Sequence, residues 1–285
     1  MRSATLMILA VTAYAVLGIL VRLAGQTLHP FEIAFFRSLI GALFVVPIIL
    51  SVGFSVFRTH HPKLNMARSL TSLIALLAGF TGLAYLPTAE AMTYSFTSPL
   101  FVAVGASLFL AETVTRKRWF AIAVGFAGVL IVMRPGGELF HPAAIASVLG
   151  AAGVASSSLI VKRLTGKDSP ATIVTLMSLA MTVLTLPFAV VVWQTPTVDE
   201  LVLLTAVGVV GTIGQFALVY ALRISDASLA FPYIYLRLPI AAGIAFWLFQ
   251  ELPSAATLAG SVVIAGSVLL LTRADPERPS GGGSV

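Results

Sequence analysis

Residues 227–249 read ASLAFPYIYLRLPIAAGIAFWLF, an apolar run of 23 residues in which Arg237 is the one charged residue. A helix of that length, rising about 1.5 Å per residue, crosses the roughly 30 Å hydrocarbon core of a bilayer. Ten residues separate Ala227 from Arg237, which places the arginine about 15 Å into such a helix, at the bilayer centre. An arginine at that depth costs about 2.5 to 3.5 kcal/mol on insertion scales. We therefore expect Arg237 to face a wet cavity or a partner rather than lipid.

The composition of the whole chain is that of an integral membrane protein. Of its 285 residues, 58% are hydrophobic and 10% are charged, with a mean hydropathy of +1.01, whereas soluble domains carry about 25% charged residues. Ten apolar stretches are each about long enough to span a membrane. They cover residues 5–24, 33–53, 67–86, 89–111, 118–133, 143–162, 171–193, 201–222, 227–249 and 254–272. The sequence thus predicts an all-α protein with ten transmembrane helices.

The positive charges indicate the orientation of the chain, because cytoplasmic loops are enriched in Lys and Arg. Of 17 Lys and Arg residues, thirteen fall on one side if the N-terminus is inside. They are Arg2, Arg58, Lys63, Arg68, Arg116, Lys117, Arg118, Lys162, Arg163, Lys167, Arg223, Arg273 and Arg278. Topology explains the basic pI, so a nucleic-acid partner is not expected. We predict a multi-pass protein of the bacterial inner membrane with both termini cytoplasmic.

The sequence repeats itself at a shift of 140 residues. The matched pairs include Pro30 with Pro170, Ser38 with Ser178, Pro47 with Pro187, and Pro99 with Pro239. Five spans per unit is an odd number, so the second unit enters the membrane from the opposite face, which is the inverted 5+5 arrangement of secondary transporters. We predict repeats at 3–135 and 142–273, a flexible cytoplasmic tail at 274–285, and a substrate site between the two repeats.

Polar residues at middle depth are the candidates for that site. Prolines 99 and 239 each remove an N–H and free a carbonyl four residues upstream, which is tolerated where a cavity is lined. We expect both to loosen or gate their helices. The repeat mate of Arg237 is Thr97, and the other expected substrate-binding residues are Tyr94, Ser98, Ser156, Ser157, Ser158, Gln215, Tyr233 and Tyr235.

Some polar residues have a structural interpretation as well. Arg237 could satisfy the freed carbonyls instead of a substrate. We interpret Arg37 as structural, because it is near the outer face and Glu90 is an ion-pair partner at similar depth. Glu112 and Glu251, which close the fourth and ninth spans, are expected to brace loops.

Enzyme motifs are missing from the sequence. There is no Cys, no HExxH, no GxSxG and no phosphate-binding loop. The four histidines lie at or near predicted loops. We therefore expect neither catalysis nor a metal or cofactor.

The chain resembles the drug/metabolite transporter superfamily, specifically its EamA-type members, over residues 3–272. The resemblance rests on HPFEIAFFRSLIGALFVVP (29–47), LPTAEAMTYSFTSPLFVAVGASLFLAE (86–112), RWFAIAVGFAGVLIVMRPG (118–136) and YLRLPIAAGIAFWLFQE (235–251). It implies a ten-helix carrier with a central cavity lined mainly by helices 1, 3, 4, 6, 8 and 9. YddG-like amino-acid exporters and carriers for riboflavin or S-adenosylmethionine have similar motifs.

These observations predict a secondary transporter of small polar metabolites that works by alternating access. Export of neutral or aromatic amino acids is the favoured form, since Arg237 could hold a carboxylate and freed carbonyls an ammonium. Uptake of riboflavin or S-adenosylmethionine is the alternative within transport, and a non-transporting membrane scaffold is the alternative outside it. The expected partners are a small-molecule substrate and the lipid bilayer, with the chain a monomer or weak homodimer.

Overall fold

The computed structural model describes residues 2–85, 95–133, 142–249 and 255–274. Within them the chain is helical, without strands. The α-helices are α1 (Arg2–Ala24), α2 (Pro30–Phe44), α3 (Val46–Val52), α4 (Pro62–Tyr85), α5 (Ser98–Phe109), α6 (Arg116–Met133), α7 (Pro142–Leu164), α8 (Pro170–Val191), α9 (Val198–Ile224), α10 (Ala227–Ala230), α11 (Arg237–Phe249) and α12 (Ala255–Ala274). Short 3-10 helices cover Phe54–Phe57 and Phe231–Leu236.

Five of the described helical segments are long and apolar enough to cross a membrane. They are Ser3–Val21, Pro30–Ser51, Ile145–Leu164, Pro170–Val191 and Val198–Ile224. Two shorter apolar helices, Ser98–Phe109 and Leu258–Leu270, lie in the fourth and tenth predicted spans.

Repeat-related residues begin helices at equivalent places. Pro30 and Pro170 are each in the first turn of their helix, where the missing N–H of proline costs nothing. The residue before each one caps the helix. His29 Nδ1 accepts from the Phe31 N–H at 3.3 Å, and Ser169 Oγ accepts from the Thr172 N–H at 3.1 Å. The cap satisfies an N–H group that has no partner inside the helix.

The ninth apolar stretch is not one continuous α-helix. It starts as α10, continues as the 3-10 segment Phe231–Leu236, and becomes α-helical again at Arg237. Pro232 and Pro239 lack the N–H groups that a regular α-helix would use here. In the fourth stretch, Thr97 is the residue before α5, and Pro99 stands in the first turn of that helix. Pro99 and Pro239 thus each lie beside an interruption of regular helix near the middle of a span.

The packing of the helices has the symmetry of two inverted repeats. A shift of 140 residues maps α1 onto α7 and α4 onto α9. Helix α1 packs on α9, and the equivalent pair, α7 and α4, packs in the same way. The pairs α2 with α8 and α6 with α12 join equivalent helices of the two halves. A twofold relation between the halves produces this pattern, and the 5+5 prediction of ten helices is confirmed.

At the face of the bundle where α1 begins, a buried carboxylate forms hydrogen bonds between the two halves. Asp168, in the turn between α7 and α8, accepts from Thr59 Oγ1 at 2.5 Å, from the His60 N–H at 2.9 Å and from Asn65 Nδ2 at 3.4 Å. The His60 ring lies 3.0 Å away as well. Burial by itself favours the neutral acid, but these hydrogen bonds hold the pKa of Asp168 below its ordinary value. The ionised carboxylate therefore stabilises this contact.

A second set of contacts at the same face joins the loop before α6 to the start of α10. Glu112 accepts from the N–H groups of Ala227 at 2.9 Å and Ser228 at 3.1 Å, the bracing role expected for it. Arg118, only 7% exposed, donates from Nη1 and Nη2 to Asp226 Oδ2 at 3.1 Å. These bonds fix the start of the ninth span, which carries Arg237. Glu90 and Glu251 lie outside the described residues.

Candidate functional site

A cavity of about 440 Å³ lies in the middle of the helix bundle. Residues of α1, α2, α4, α7, α8, α9 and the ninth span surround it. Helices from both repeats therefore contribute walls, as expected for a site between the halves. Five of the spans that the resemblance implied as cavity walls, the first, third, sixth, eighth and ninth, contribute lining residues, whereas no described residue of the fourth span does. The second and seventh spans also line the cavity.

Three arginines line the cavity, whereas sequence analysis placed only Arg237 there. Arg37 comes from α2, and Arg68 comes from α4. Arg68 is 1% exposed and donates from Nη1 to the Ile173 carbonyl oxygen at 2.8 Å, while its Nε has no partner among the described residues. None of the described residues that line the cavity is acidic. The site is therefore strongly cationic for its size.

Tyr14 occupies a central position among the three cations. Its phenol lies within electrostatic reach of Arg37, Arg68 and Arg237, and it donates to Gln215 Oε1 at 3.2 Å. This bond links α1 to α9 across the cavity wall. The amide of Gln215 is thereby oriented.

Small residues make room for two of the guanidinium groups. A Cβ built at Gly18 would lie 3.1 Å from Arg237 Nη2, and one at Gly211 would lie 2.9 Å from Arg37 Nε. Any larger side chain at these positions would push the guanidinium away. The glycines of α1 and α9 thus hold the arginines close to the helix backbones and leave the centre of the cavity open.

The hydroxyl groups that line the cavity include pairs of residues that are equivalent in the two repeats. Ser38 corresponds to Ser178 and Ser72 to Thr212, and all four line the cavity. Ser72 and Ser157 lie 2.8 Å apart, oxygen to oxygen. The arginines have no such symmetry, because Met177, Gly208 and Thr97 stand at the positions equivalent to Arg37, Arg68 and Arg237. A symmetric scaffold therefore presents an asymmetric distribution of charge.

The rest of the wall is apolar and flexible. It includes Met7, Val11, Met177, Met181, Leu218 and Phe231. Methionine side chains adapt their shape to different ligands. The cavity can therefore accommodate a carbon skeleton beside its charged groups, which is the usual composition of a small-molecule site.

Four of the predicted binding residues line the cavity: Arg237, Gln215, Ser157 and Ser158. The exposed Ser156 does not, because consecutive helical residues point about 100° apart and three serines in a row cannot share one face. Ser158 lines the cavity, although its hydroxyl donates to the Val154 carbonyl oxygen at 2.8 Å.

The remaining predicted residues are elsewhere. Tyr235 is 0% exposed and packs its ring 6.4 Å from that of Phe96, on the side of Gly125 and Ser267. Its hydroxyl has no partner among the described residues. Thr97, Ser98, Tyr233, Pro99 and Pro239 are not among the residues that surround the cavity. Tyr94 lies outside the described residues.

Arg68, Arg37 and Tyr14 line the cavity but were not among the predicted binding residues. The predicted span 67–86 puts Arg68 at its cytoplasmic end, but α4 begins at Pro62, so Arg68 lies almost two turns inside the helix. Proline is favoured in the first turn of a helix, and that signal could have placed Arg68 in the membrane. Arg37, interpreted as a structural residue near the outer face, lines the cavity instead.

The described residues hold no group of three or more metal-binding side chains. The guanidinium groups and hydroxyls that line the cavity can bind an anion, and the apolar wall can hold the rest of a ligand.

Comparisons with known proteins agree with this architecture. The model of the EamA-like transporter family matches the chain twice, at residues 1–134 and 141–273. A crystal structure of another protein has a TM-score of 0.78 over 95% of this chain and 96% of that one, at 18% identity, which shows the same fold.

The chain is also similar in sequence to proteins that are named as transporters. The S-adenosylmethionine uptake transporter of Rickettsia bellii is 32% identical, covering 90% of this chain and 88% of the relative. The riboflavin transporter of Rhizobium johnstonii is 32% identical over 95% of this chain and 91% of its own. The pseudopaline exporter of Pseudomonas aeruginosa is 29% identical over 94% of this chain and 95% of its own. Because the two family matches together cover most of the 285 residues, the chain belongs to the EamA-like transporter family of the drug/metabolite transporter superfamily, and it is a multi-pass membrane transporter of small molecules rather than an enzyme.

Proposed function

We propose that this transporter carries metabolites that bear a carboxylate, with amino acids as the first class to test. The observation that supports the proposal is the guanidinium of Arg237 in the central cavity, which forms no hydrogen bond or ion pair within the described part of the chain. A carboxylate accepts bidentate, charge-assisted hydrogen bonds from such a group. Export of neutral or aromatic amino acids is the specific form that the sequence favours, with the apolar wall taking the side chain.

Uptake of S-adenosylmethionine or riboflavin is a second candidate, favoured by the names of two relatives. S-adenosylmethionine shares the α-carboxylate of an amino acid but adds a sulfonium cation. Three guanidinium groups in one cavity repel that cation. Riboflavin has no carboxylate and would depend on the apolar wall. Both are thus less well matched to the charges of this site than an amino acid is.

The test is a flux assay with purified protein in liposomes. We expect exchange of radiolabelled L-methionine and L-phenylalanine, competed by unlabelled acids and much less by the corresponding amides, which lack the carboxylate. S-adenosylmethionine and riboflavin serve as parallel substrates. If either of them moves while no amino acid does, or if the amides compete as well as the acids, the proposal is wrong.

We also propose that both termini are cytoplasmic, that the repeats 3–135 and 142–273 act as the two units of an alternating-access cycle, and that the chain works as a monomer or weak homodimer. Once Arg68 is placed in the cavity, twelve Lys and Arg residues remain on the cytoplasmic side, and this bias of positive charge supports the orientation. The chain has no cysteine, so Lys117→Cys introduces a single thiol in the first turn of α6. An impermeant maleimide should label it only after the cells are opened. Labelling in intact cells would show the opposite orientation.

A further inference from the structure

We propose that the preferred substrates carry two carboxylates, one held by Arg237 and Arg37 and the other by Arg68. This inference rests on the proposed function and narrows its substrate class. A neutral amino acid offers one carboxylate to three guanidinium groups. An acidic amino acid, or a larger metabolite with two carboxylates, matches the charge of the cavity more closely.

The balance of charge in the cavity is the first argument. Buried cations are costly unless an anion or hydrogen-bond acceptors compensate them. Among the described residues that line the cavity, the three arginines face no acidic side chain. Even if Glu90 neutralises Arg37, as the sequence suggests, Arg68 and Arg237 remain. A substrate with two carboxylates supplies both missing charges.

The depth of the three arginines is the second argument. Arg68 follows the start of α4 by six residues, and Arg37 follows the start of α2, at the opposite face, by seven. At 1.5 Å per residue the two lie about 9 Å and about 10 Å from opposite faces. In a core of roughly 30 Å they are therefore about 10 Å apart along the bundle. Arg237, about 15 Å into its own span, lies between these two levels and interacts electrostatically with Arg37.

Two separate anion subsites follow from this spacing. The first consists of Arg237 and Arg37, and Tyr14 lies within electrostatic reach of both subsites. The second consists of Arg68 and, one helical turn further along α4, Ser72. Arg68 Nη1 is held by the Ile173 carbonyl, which orients the guanidinium, while its Nε is a buried donor without a partner in the described chain. Two carboxylates on a short carbon chain can occupy both subsites at once, whereas a single carboxylate occupies one.

The experiment compares substrates of nearly equal shape that differ in one charge. Exchange in liposomes is measured for L-glutamate against L-glutamine, and for L-aspartate against L-asparagine. A charge-assisted hydrogen bond to the second carboxylate predicts at least about tenfold lower KM for the acids. A length series of aspartate, glutamate and 2-aminoadipate should show an optimum, because the two subsites are a fixed distance apart.

Variants then assign the second subsite. Arg68→Gln should reduce glutamate exchange at least about tenfold more than glutamine exchange, and Arg68→Lys should keep most of the selectivity. The matched control is Arg223→Gln, an exposed arginine at the end of α9, which should keep the wild-type ratio. An equal loss for both substrates in Arg68→Gln would assign Arg68 to structure and overturn the second subsite.

The wild-type comparison tests the inference even if Arg68→Gln does not fold. Equal KM values for glutamate and glutamine would overturn the preference for two carboxylates and leave the proposed function intact. A failure of every amino acid to exchange, with riboflavin or S-adenosylmethionine moving, would overturn the proposed function itself. A preference for the acids with a length optimum supports both.

Discussion

Replacement of Arg237 by glutamine should have opposite effects on insertion and on transport. The guanidinium lines the cavity, and no hydrogen bond or ion pair to it occurs within the described residues. Its removal consequently leaves no known partner unsatisfied, and it removes a costly charge from the middle of the membrane. Gly18, which makes room for the guanidinium, tolerates the shorter side chain.

The size of both effects can be estimated. A hydrogen bond to a charged group contributes about 1.5 to 3 kcal/mol, and 1.4 kcal/mol corresponds to a factor of ten in affinity. Arg237→Gln should therefore raise KM for an amino-acid substrate by about tenfold to about 150-fold. Insertion scales give a cost of about 2.5 to 3.5 kcal/mol for an arginine at the helix centre, so folded yield should be equal or higher when the charge is removed.

The assay pairs two readouts on the same preparation. Fluorescence-detected size exclusion gives the folded yield, and exchange in liposomes at several substrate concentrations gives KM. Arg223→Gln, exposed at the end of α9, controls for the loss of a positive charge. Unchanged KM in well-folded Arg237→Gln would refute a role in binding, and loss of folded protein would show that the arginine is structural.

Three further substitutions test other parts of the site and fold. Gly18→Ala places a methyl group 3.1 Å from Arg237 Nη2 and should raise KM severalfold, whereas Gly243→Ala, with nothing within 4 Å, should leave it unchanged; equal KM values would contradict the packing argument. Tyr235→Phe removes a buried hydroxyl with no partner among the described residues, so transport should persist and thermal stability should hold or rise; lost transport would return Tyr235 to the binding site. Asp168→Asn should lower the unfolding temperature at neutral pH. Hydrogen bonding lowers the pKa of Asp168 against the effect of its burial. The extra stability of the wild type over the variant should therefore be complete above about pH 4 and disappear as pH falls through the folded-state pKa. An advantage that persists in strong acid would refute the ionic contact.

The sequence by itself determined the membrane architecture. Span number follows from local hydropathy and length, which are properties of consecutive residues and need no tertiary information. The inverted repeat follows from prolines such as Pro30 and Pro170 at matching depths. The depth of Arg237 was likewise readable, since distance along a helix is proportional to residue number. These features identified the fold and placed one cation at the centre.

The tertiary structure alone decided which side chains meet in the cavity. Ser156 and Ser157 are neighbours in sequence, yet only Ser157 lines it, since one residue turns a helix by about 100°. Tyr235 is two residues from Arg237 but packs on the side of Gly125 and Ser267. The rotation of a helix about its axis is set by packing against neighbours from the other repeat. An apolar run that is hydrophobic on all sides carries little information about that rotation, and for this reason the sequence gives depth along the membrane but not the faces that form the site.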